Sequence, residues 1–144
     1  MSPYKSLAIV GATGNLGEQL LAALADDPRG RTLDIRILTR PSPWQITVDP
    51  GLNVSLHQIT YNTRNTHSTL LQALKGVDVV ISTLGDDSGL TSRDVRNSGE
   101  LPGFRAQDEV ARAAKEAGVK LFVPSYVDET DTCCKFFSLI YILS

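Results

Sequence analysis

One sequence feature constrains this chain of 144 residues more than any other: an apolar strand pattern that runs straight into three regularly spaced glycines. The apolar run ends at Val10, and the next residues read Gly11-Ala12-Thr13-Gly14-Asn15-Leu16-Gly17. Apolar residues at helical spacing follow from Glu18 onward. In a strand-turn-helix unit of this kind Gly11 allows a sharp turn, Gly14 allows a ligand to approach the backbone, and Gly17 allows the helix to pack on the strand.

The N-terminus of the predicted first helix lies at this glycine turn. Unpaired N–H groups and the positive end of the helix dipole bind an anion there without a basic side chain. The spacing G-x-x-G-x-x-G differs from the commonest dinucleotide fingerprint, G-x-G-x-x-G, but the strand-to-helix context is the one that fingerprint requires. We therefore expect a dinucleotide pyrophosphate to bind at Gly11, Thr13, Gly14, Asn15, Leu16 and Gly17. The alternative interpretation is a tight turn without a ligand.

Strand and helix patterns alternate along the rest of the chain. Strands are predicted at 33–39, 54–59, 77–84 and 121–123, and helices at 68–75 and 104–117, with Gly30 ending the first helix. The prolines between Pro41 and Gly51 predict a loop, with or without a short strand at 46–48, and 86–103 predicts a long polar loop. This alternation predicts an α/β fold, a Rossmann-like doubly wound parallel sheet of order 3-2-1-4-5 in three layers.

Composition narrows the class of partner. Lys and Arg number 14 against 16 Asp and Glu, so no basic excess is present to neutralise nucleic-acid phosphates. The N-terminus shows no leader pattern, which makes a cytoplasmic location the default expectation, with no membrane partner. The only cysteines, Cys133 and Cys134, are adjacent, and His57 and His67 have no partner pattern, so no metal site is predicted.

Residues after two of the predicted strands also concern the cofactor. Arg40 follows the second predicted strand, where folds that prefer NAD carry an acidic residue against the ribose 2′-hydroxyl. A guanidinium there favours the 2′-phosphate, and so NADP(H) over NAD(H), although a solvated surface arginine is the alternative. Thr83, Leu84 and Gly85 close the fourth strand beside the first, at the topological switch point where ligands bind in open α/β sheets.

Three blocks of sequence resemble a known family. They are 10–17, 73–85, and Gln107 together with 113–125, and they are similar to the NmrA-like and isoflavone-reductase-like group of atypical short-chain dehydrogenases. The resemblance implies an NAD(P)-binding Rossmann domain over residues 1–125. It also implies an NADPH-dependent reductase of small, often aromatic or phenolic molecules. The alternative within the same group is a redox sensor that binds the dinucleotide without turnover and acts through a protein partner.

The chain departs from the family pattern at several positions. Thr60 stands where the resemblance implies an aspartate near the adenine, and no lysine between Pro41 and Gly51 assists Arg40. Gln107 either faces the nicotinamide ribose or faces solvent, and Ser125 is either a ligand contact or a turn residue.

The segment 126–144 does not match the family's catalytic lysine helix or its substrate region. The sequence is therefore expected to be truncated relative to the family, and no catalytic role is assigned, Lys135 included. The apolar run 136–143 is shorter than the ~20 residues that cross a bilayer. It is either a sixth strand or an artefact of a premature end.

Overall fold

The computed structural model describes residues 3–41, 46–61, 63–84 and 102–125. Its helices and strands, in chain order, are β1 (Ser6–Val10), α1 (Asn15–Asp26), a short 3₁₀ turn (Gly30–Thr32), β2 (Asp34–Thr39), β3 (Asn53–Gln58), α2 (Thr66–Leu74), β4 (Val79–Ser82), α3 (Pro102–Glu116) and β5 (Leu121–Val123). Strands and helices therefore alternate over the described residues as the sequence predicts.

The five strands form one parallel sheet in the order β3-β2-β1-β4-β5, which confirms the predicted topology. Ser6 of β1 pairs with Asp34 of β2, and Leu7 pairs with Val79 of β4. Every residue of the central strand β1 is buried, as expected for a parallel strand covered on both faces. The edge strand β3 is mostly exposed.

The alternation of side chains along β1 divides the core into two clusters. Ala8 and Val10 belong to a cluster that includes residues of α2 and α3, whereas Leu7 and Ile9 belong to one that includes Leu21 of α1. Because side chains of a strand point alternately to opposite faces, the two clusters lie on opposite sides of the sheet. The fold therefore has the three predicted layers, with α1 on one face and α2 and α3 on the other.

Several predictions about element boundaries are corrected. Helix α1 ends at Asp26, and Gly30 begins the 3₁₀ turn instead of ending the helix. A Cβ at Gly30 would lie 2.0 Å from the carbonyl oxygen of Leu24, so glycine is required there for close packing on the last turn of α1. Helix α3 begins at Pro102 and not at Phe104, since proline suits the first position of a helix. Strand β4 extends over Val79–Ser82 instead of 77–84, and α2 begins at Thr66 instead of Ser68. Residues 46–48 form no strand, so of the two alternatives left open there the loop without a strand is the one observed.

Other predictions fall outside the described residues. These are Gly85, the sixth strand at 136–143, and the polar loop predicted over 86–103 apart from its last two residues, which belong to α3. By contrast, Gly76 and Gly118 follow α2 and α3 with φ of 76° and 78°, the left-handed conformation that glycine adopts at a helix end. The predicted ends of these two helices are therefore confirmed.

A hydrogen-bonded clamp joins three strands at the edge of the sheet opposite the glycine turn. The Asp78 carboxylate accepts hydrogen bonds from the backbone N–H groups of Lys5, at 2.8 Å, and Ser6, at 3.2 Å. The Lys120 ammonium lies 2.7 Å from the same carboxylate. The Lys120 contact first, and the N–H of Lys5 next, hold the pKa of Asp78 well below its ordinary value. The clamp ties the starts of β1, β4 and β5 together.

Candidate functional site

The glycine turn begins at the carboxyl end of β1. Gly11 has a φ of 82°, and a Cβ on it would lie 3.2 Å from the backbone nitrogen of Leu84. Its N–H donates to the carbonyl oxygen of Leu38 at 3.1 Å. The turn is therefore held against the ends of β2 and β4, and the positive φ and close approach together favour glycine at this position.

Gly14 and Gly17 have different structural roles. A Cβ at Gly17 would lie 2.4 Å from the Cα of Ala12, so α1 packs against the turn only when this residue is glycine. A Cβ at Gly14 would meet only the carbonyl oxygen of Gly11, at 3.6 Å, which is an ordinary contact, and the φ of −86° suits any residue. The fold therefore requires Gly17 but does not require Gly14.

The first turn of α1 presents backbone donors at this edge. Gly14 is the N-cap of α1 and has no side chain with which to cap it, and Asn15, Leu16 and Gly17 follow as the first three helical residues. Their N–H groups have no acceptor within the helix. The side chains of Thr13, Asn15 and Leu16 are exposed, Leu16 to 55% although it is a large apolar residue. This arrangement has the geometry and polarity of an anion site.

The carboxyl end of β4 borders the turn. The Thr83 hydroxyl and N–H both donate to the carbonyl oxygen of Val10, each at 2.8 Å. Thr83 therefore joins the ends of β1 and β4 and is buried. Leu84, half-buried, lies against Gly11. Of Thr83, Leu84 and Gly85, the three residues predicted at the switch point, Thr83 and Leu84 lie beside the glycine turn.

Gln107 and Ser125 are joined to each other. Gln107 Oε1 accepts a hydrogen bond from the N–H of Ser125 at 2.9 Å, and the Ser125 hydroxyl donates to the carbonyl oxygen of Leu84 at 2.6 Å. Gln107 is only 5% exposed, so the solvent-facing alternative is wrong. This network connects α3 and the end of β5 to the end of β4.

Arg40 follows β2 directly and is exposed. It borders a cavity of about 530 Å³ on the face of the sheet that α1 covers, lined mainly by Ile37, Leu52 and Val54 with Thr39 and Gln58. The end of β2 is bonded to the glycine turn through Leu38, two residues before Arg40.

Sequence reasoning missed two polar side chains near the same edge, Tyr61 and Glu109. The Tyr61 hydroxyl and Glu109 Oε2 are both buried and have no hydrogen-bond partner among the described residues. Burial, and then the Glu109 carboxylate, raise the pKa of Tyr61, while the Arg40 guanidinium opposes the shift. Neither the helical period nor any motif marks Glu109 as special, since only the folded chain places it near Tyr61.

The two histidines lie on different elements. His57 lies on β3, where its Nε2 is 3.2 Å from the Ser55 hydroxyl, and His67 lies in the first turn of α2, 2.7 Å from Glu116. Within the described ranges no group of three or more His, Cys, Asp or Glu is arranged to hold a metal ion. Nor does that part of the chain contain a helix long and apolar enough to span a bilayer.

Comparison with known proteins decides the family. Residues 3–136 match the model of the NmrA-like family. The chain belongs to the NmrA-like family. The match extends past Ser125, where the sequence resemblance was expected to stop.

Curated relatives agree with this assignment. The chain is 30% identical over 120 residues to the phenylcoumaran benzylic ether reductase IRL1 of Ginkgo biloba, covering 83% of the chain and 34% of the relative. It is 32% identical over 128 residues to the isoflavone reductase homolog P3 of Arabidopsis thaliana, covering 87% of the chain and 36% of the relative. The chain thus spans about a third of the length of these relatives.

A solved structure shares the fold. The NADPH-dependent quinone oxidoreductase QOR2 of Escherichia coli, in complex with NADPH, aligns with a TM-score of 0.56 and 21% identity. The alignment covers 96% of this NmrA-like chain and 45% of that protein. At this level of identity the likeness establishes the Rossmann-like architecture.

Proposed function

We propose that this chain binds NADP(H) at the carboxyl edge of its sheet and is the cofactor-binding part of an oxidoreductase of small molecules. One observation carries the proposal: Gly14 caps the anion-binding end of α1 with no side chain, although the fold there tolerates one. A bound pyrophosphate would explain that glycine, because any Cβ would occupy the space of the approaching phosphates.

The residues at this edge suit the parts of a dinucleotide. The N–H groups of Asn15, Leu16 and Gly17 would bind the pyrophosphate, and Arg40 would bind a 2′-phosphate with charge-assisted hydrogen bonds. Leu84 would pack against the nicotinamide half of the cofactor. Gln107 and Ser125 would hold the end of β4 in place through their hydrogen bonds. The names of the relatives, which are reductases, and the NADPH complex of the structural neighbour support this proposal.

Residues 1–125 form the proposed dinucleotide-binding domain, and the described part of it ends with Ser125 after β5. When bound, the cofactor would supply hydride transfer at the nicotinamide C4. The protein's part is to hold the nicotinamide beside the β4 edge and to orient it toward a substrate. The relatives that name a substrate class suggest aromatic or phenolic molecules.

The test is isothermal titration of NADPH into wild-type protein and into Gly14→Val. We expect the substitution to reduce affinity at least about tenfold, the scale of one lost charge-assisted contact, while the fold is retained because Gly14 is not closely packed. Ala22→Val, on the exposed part of the same helix, is the matched control and should bind normally. Equal affinity of wild-type and Gly14→Val would show that the pyrophosphate site is elsewhere.

A further inference from the structure

The edge strand β3 lacks the features that usually keep a strand edge from pairing with another chain. It pairs only with β2, and no second strand lies beside it among the described residues. Its six residues include no proline, lysine, arginine, aspartate or glutamate, and its register with β2 runs from Asn53 to Gln58 without a bulge. Natural sheets protect their edges with charges, prolines, bulges or very short strands. The opposite edge strand, β5, has only three residues and follows that rule, whereas β3 does not.

The outer backbone groups of β3 belong to three residues. The N–H of Ile59, just after the strand, donates to the carbonyl oxygen of Thr39 at 2.8 Å. Successive residues of a strand direct their backbone groups to alternate edges, so the N–H and C=O groups of Val54, Leu56 and Gln58 point away from β2. Within the described part of the chain these groups bond to no other element. They form a row of donors and acceptors along the edge.

Apolar side chains accompany this row. Leu56 is 56% exposed and Val54 is half-buried, and both border the cavity on the α1 face beside Ile37. The connection between two parallel strands usually supplies a helix that covers the face of the sheet. In the connection from β2 to β3, none of the described residues, 40–41 and 46–52, is helical. The edge therefore offers both main-chain hydrogen bonds and apolar surface to a partner.

We propose that β3 pairs antiparallel with β3 of a second copy of this chain, across a two-fold axis at Leu56. That axis places Leu56 opposite Leu56 of the second copy and Val54 opposite Gln58 of the second copy. All three outward residues of each strand then lie in hydrogen-bonded pairs, and the two five-stranded sheets join into one. The contact uses the same surface on both copies, so it closes at the dimer.

A second copy suits this edge because the pairing is self-complementary. On the α1 face the two Leu56 side chains form an apolar cross-strand pair. On the other face Ser55 lies opposite His57 of the second copy, at a non-hydrogen-bonded position where side chains approach most closely. Within one chain the Ser55 hydroxyl is 3.2 Å from His57 Nε2, so these polar groups already suit each other. Since β3 carries no Asp, Glu, Lys or Arg, a copy meets no like charge, and an acidic or basic peptide would find no opposite charge.

The association is expected to be weak. One strand pair of this length buries less than the ~800 Å² per partner of a standard interface, so we expect a Kd on the order of 10–100 μM. The proposal does not depend on the dinucleotide-binding function proposed above, and the experiments use protein without cofactor.

The experiment is sedimentation velocity of the 144-residue chain from ~5 to ~500 μM, over which wild-type protein should shift from monomer to dimer. Leu56→Lys should weaken the dimer at least about tenfold, because two ammonium groups would face each other across the axis. Val123→Lys is the matched control, since it places the same charge at an exposed valine of the opposite edge strand β5. It should dimerise like wild type.

A disulfide tests the register. In a chain with Cys133→Ser and Cys134→Ser, the substitution Leu56→Cys would place two thiols on residues whose Cα atoms are about 5.5 Å apart, a separation that a disulfide spans. We expect mild oxidation to give a covalent dimer. Val123→Cys in the same background should remain monomeric under denaturing conditions.

Wild-type protein that remains monomeric up to ~500 μM would overturn the proposal, as would a folded Leu56→Lys variant that associates as strongly as wild type. Loss of the dimer in Val123→Lys alone would place the interface at β5 and overturn it too. Growth beyond the dimer would contradict the two-fold pairing. A monomer with the amides of Val54, Leu56 and Gln58 protected from hydrogen exchange would show that another segment of the same chain covers β3. If Leu56→Lys folds poorly by circular dichroism, wild-type sedimentation and the disulfide still decide the question.

Discussion

At the scale of single residues, the three glycines of one turn differ in whether the fold requires a glycine at that position. Gly11 has a positive φ and lies against the end of β4, and Gly17 lies against Ala12. Gly14 alone meets only an ordinary contact. A motif that is uniform in sequence therefore contains two glycines that the fold needs and one that the fold does not require. This difference makes Gly14 the informative position for mutagenesis.

Arg40 carries the prediction about cofactor selectivity. Its guanidinium, exposed after β2, would form charge-assisted hydrogen bonds with a 2′-phosphate that NAD lacks. We expect NADPH to be preferred over NADH by roughly 1–3 kcal/mol and Arg40→Ala to remove that preference. Titration of both cofactors into both proteins measures the difference.

Arg112→Ala, an exposed arginine on α3, controls for the loss of one positive charge from the protein. It should leave the ratio of the two affinities unchanged. Should Arg40→Ala weaken NADH and NADPH binding by the same factor, Arg40 would have a structural role and not a selective one.

At the scale of secondary-structure elements, each end of the sheet is held by side chains from neighbouring strands and helices. At the carboxyl edge Thr83 joins β4 to β1, and Ser125 and Gln107 join β5 and α3 to β4. Within the sheet, Arg36 of β2 donates to the carbonyl oxygens of Ala73 and Lys75 at 2.9 and 2.8 Å, and so caps the C-terminus of α2. These contacts keep the strand ends of the candidate site in fixed relative positions.

The Asp78 clamp predicts how stability depends on pH. Its pKa is lowered in the folded protein, so its stabilisation is full above the unfolded value near 3.8 and is lost as the pH falls toward the lower folded value. We expect Asp78→Asn to lower the free energy of unfolding by about 1–3 kcal/mol at pH 7, because the hydrogen bonds to a charged acceptor are weakened. The deficit should shrink below about pH 4, because there the unfolded wild-type chain takes up a proton on Asp78 that the folded protein binds only at lower pH.

Urea unfolding at pH 7, 5 and 3 measures this difference. Asp26→Asn, an exposed carboxylate in the last turn of α1, is the control and should differ little from wild type at any of these pH values. A deficit for Asp78→Asn that stays constant down to pH 3 would show that the stabilisation does not depend on the negative charge of Asp78.

At the scale of the whole molecule, the described fold is a Rossmann-like unit, and the chain spans about a third of its reductase relatives. A reductase must also position a substrate and exclude water from the nicotinamide. The carboxyl edge described here offers binding groups, and no proton donor for a substrate is assigned at it. Cofactor binding and substrate turnover can therefore be tested separately on this polypeptide.

We accordingly expect the 144-residue polypeptide, assayed alone, to bind NADPH but to oxidise it slowly. The assay is NADPH oxidation with a panel of aromatic and phenolic carbonyl and alkene substrates, with titration calorimetry confirming that the cofactor is bound. Turnover near the ~10 per second typical of enzymes would contradict this expectation and would require a proton donor within the chain. A redox sensor that acts through a protein partner would also bind NADPH without oxidising it.

The sequence by itself determined the order of the elements and the topology of the sheet. Hydrophobic runs of strand length, helical periodicity and glycines at helix ends are local signals, and the rules for right-handed βαβ connections convert them into the order 3-2-1-4-5. The glycine turn was predictable for the same reason, because Gly11 through Gly17 act within a single strand-turn-helix unit.

Tertiary structure alone decided which side chains meet across elements. That Gln107 bonds Ser125, that Gly30 packs on α1 instead of ending it, and that Tyr61 lies near Glu109 all depend on how separate elements come together. The periodicity of the sequence does not encode such contacts, since they depend on how the helices pack against the sheet. The sequence therefore predicted where the candidate site lies, and the folded structure determined which polar groups there are paired with each other.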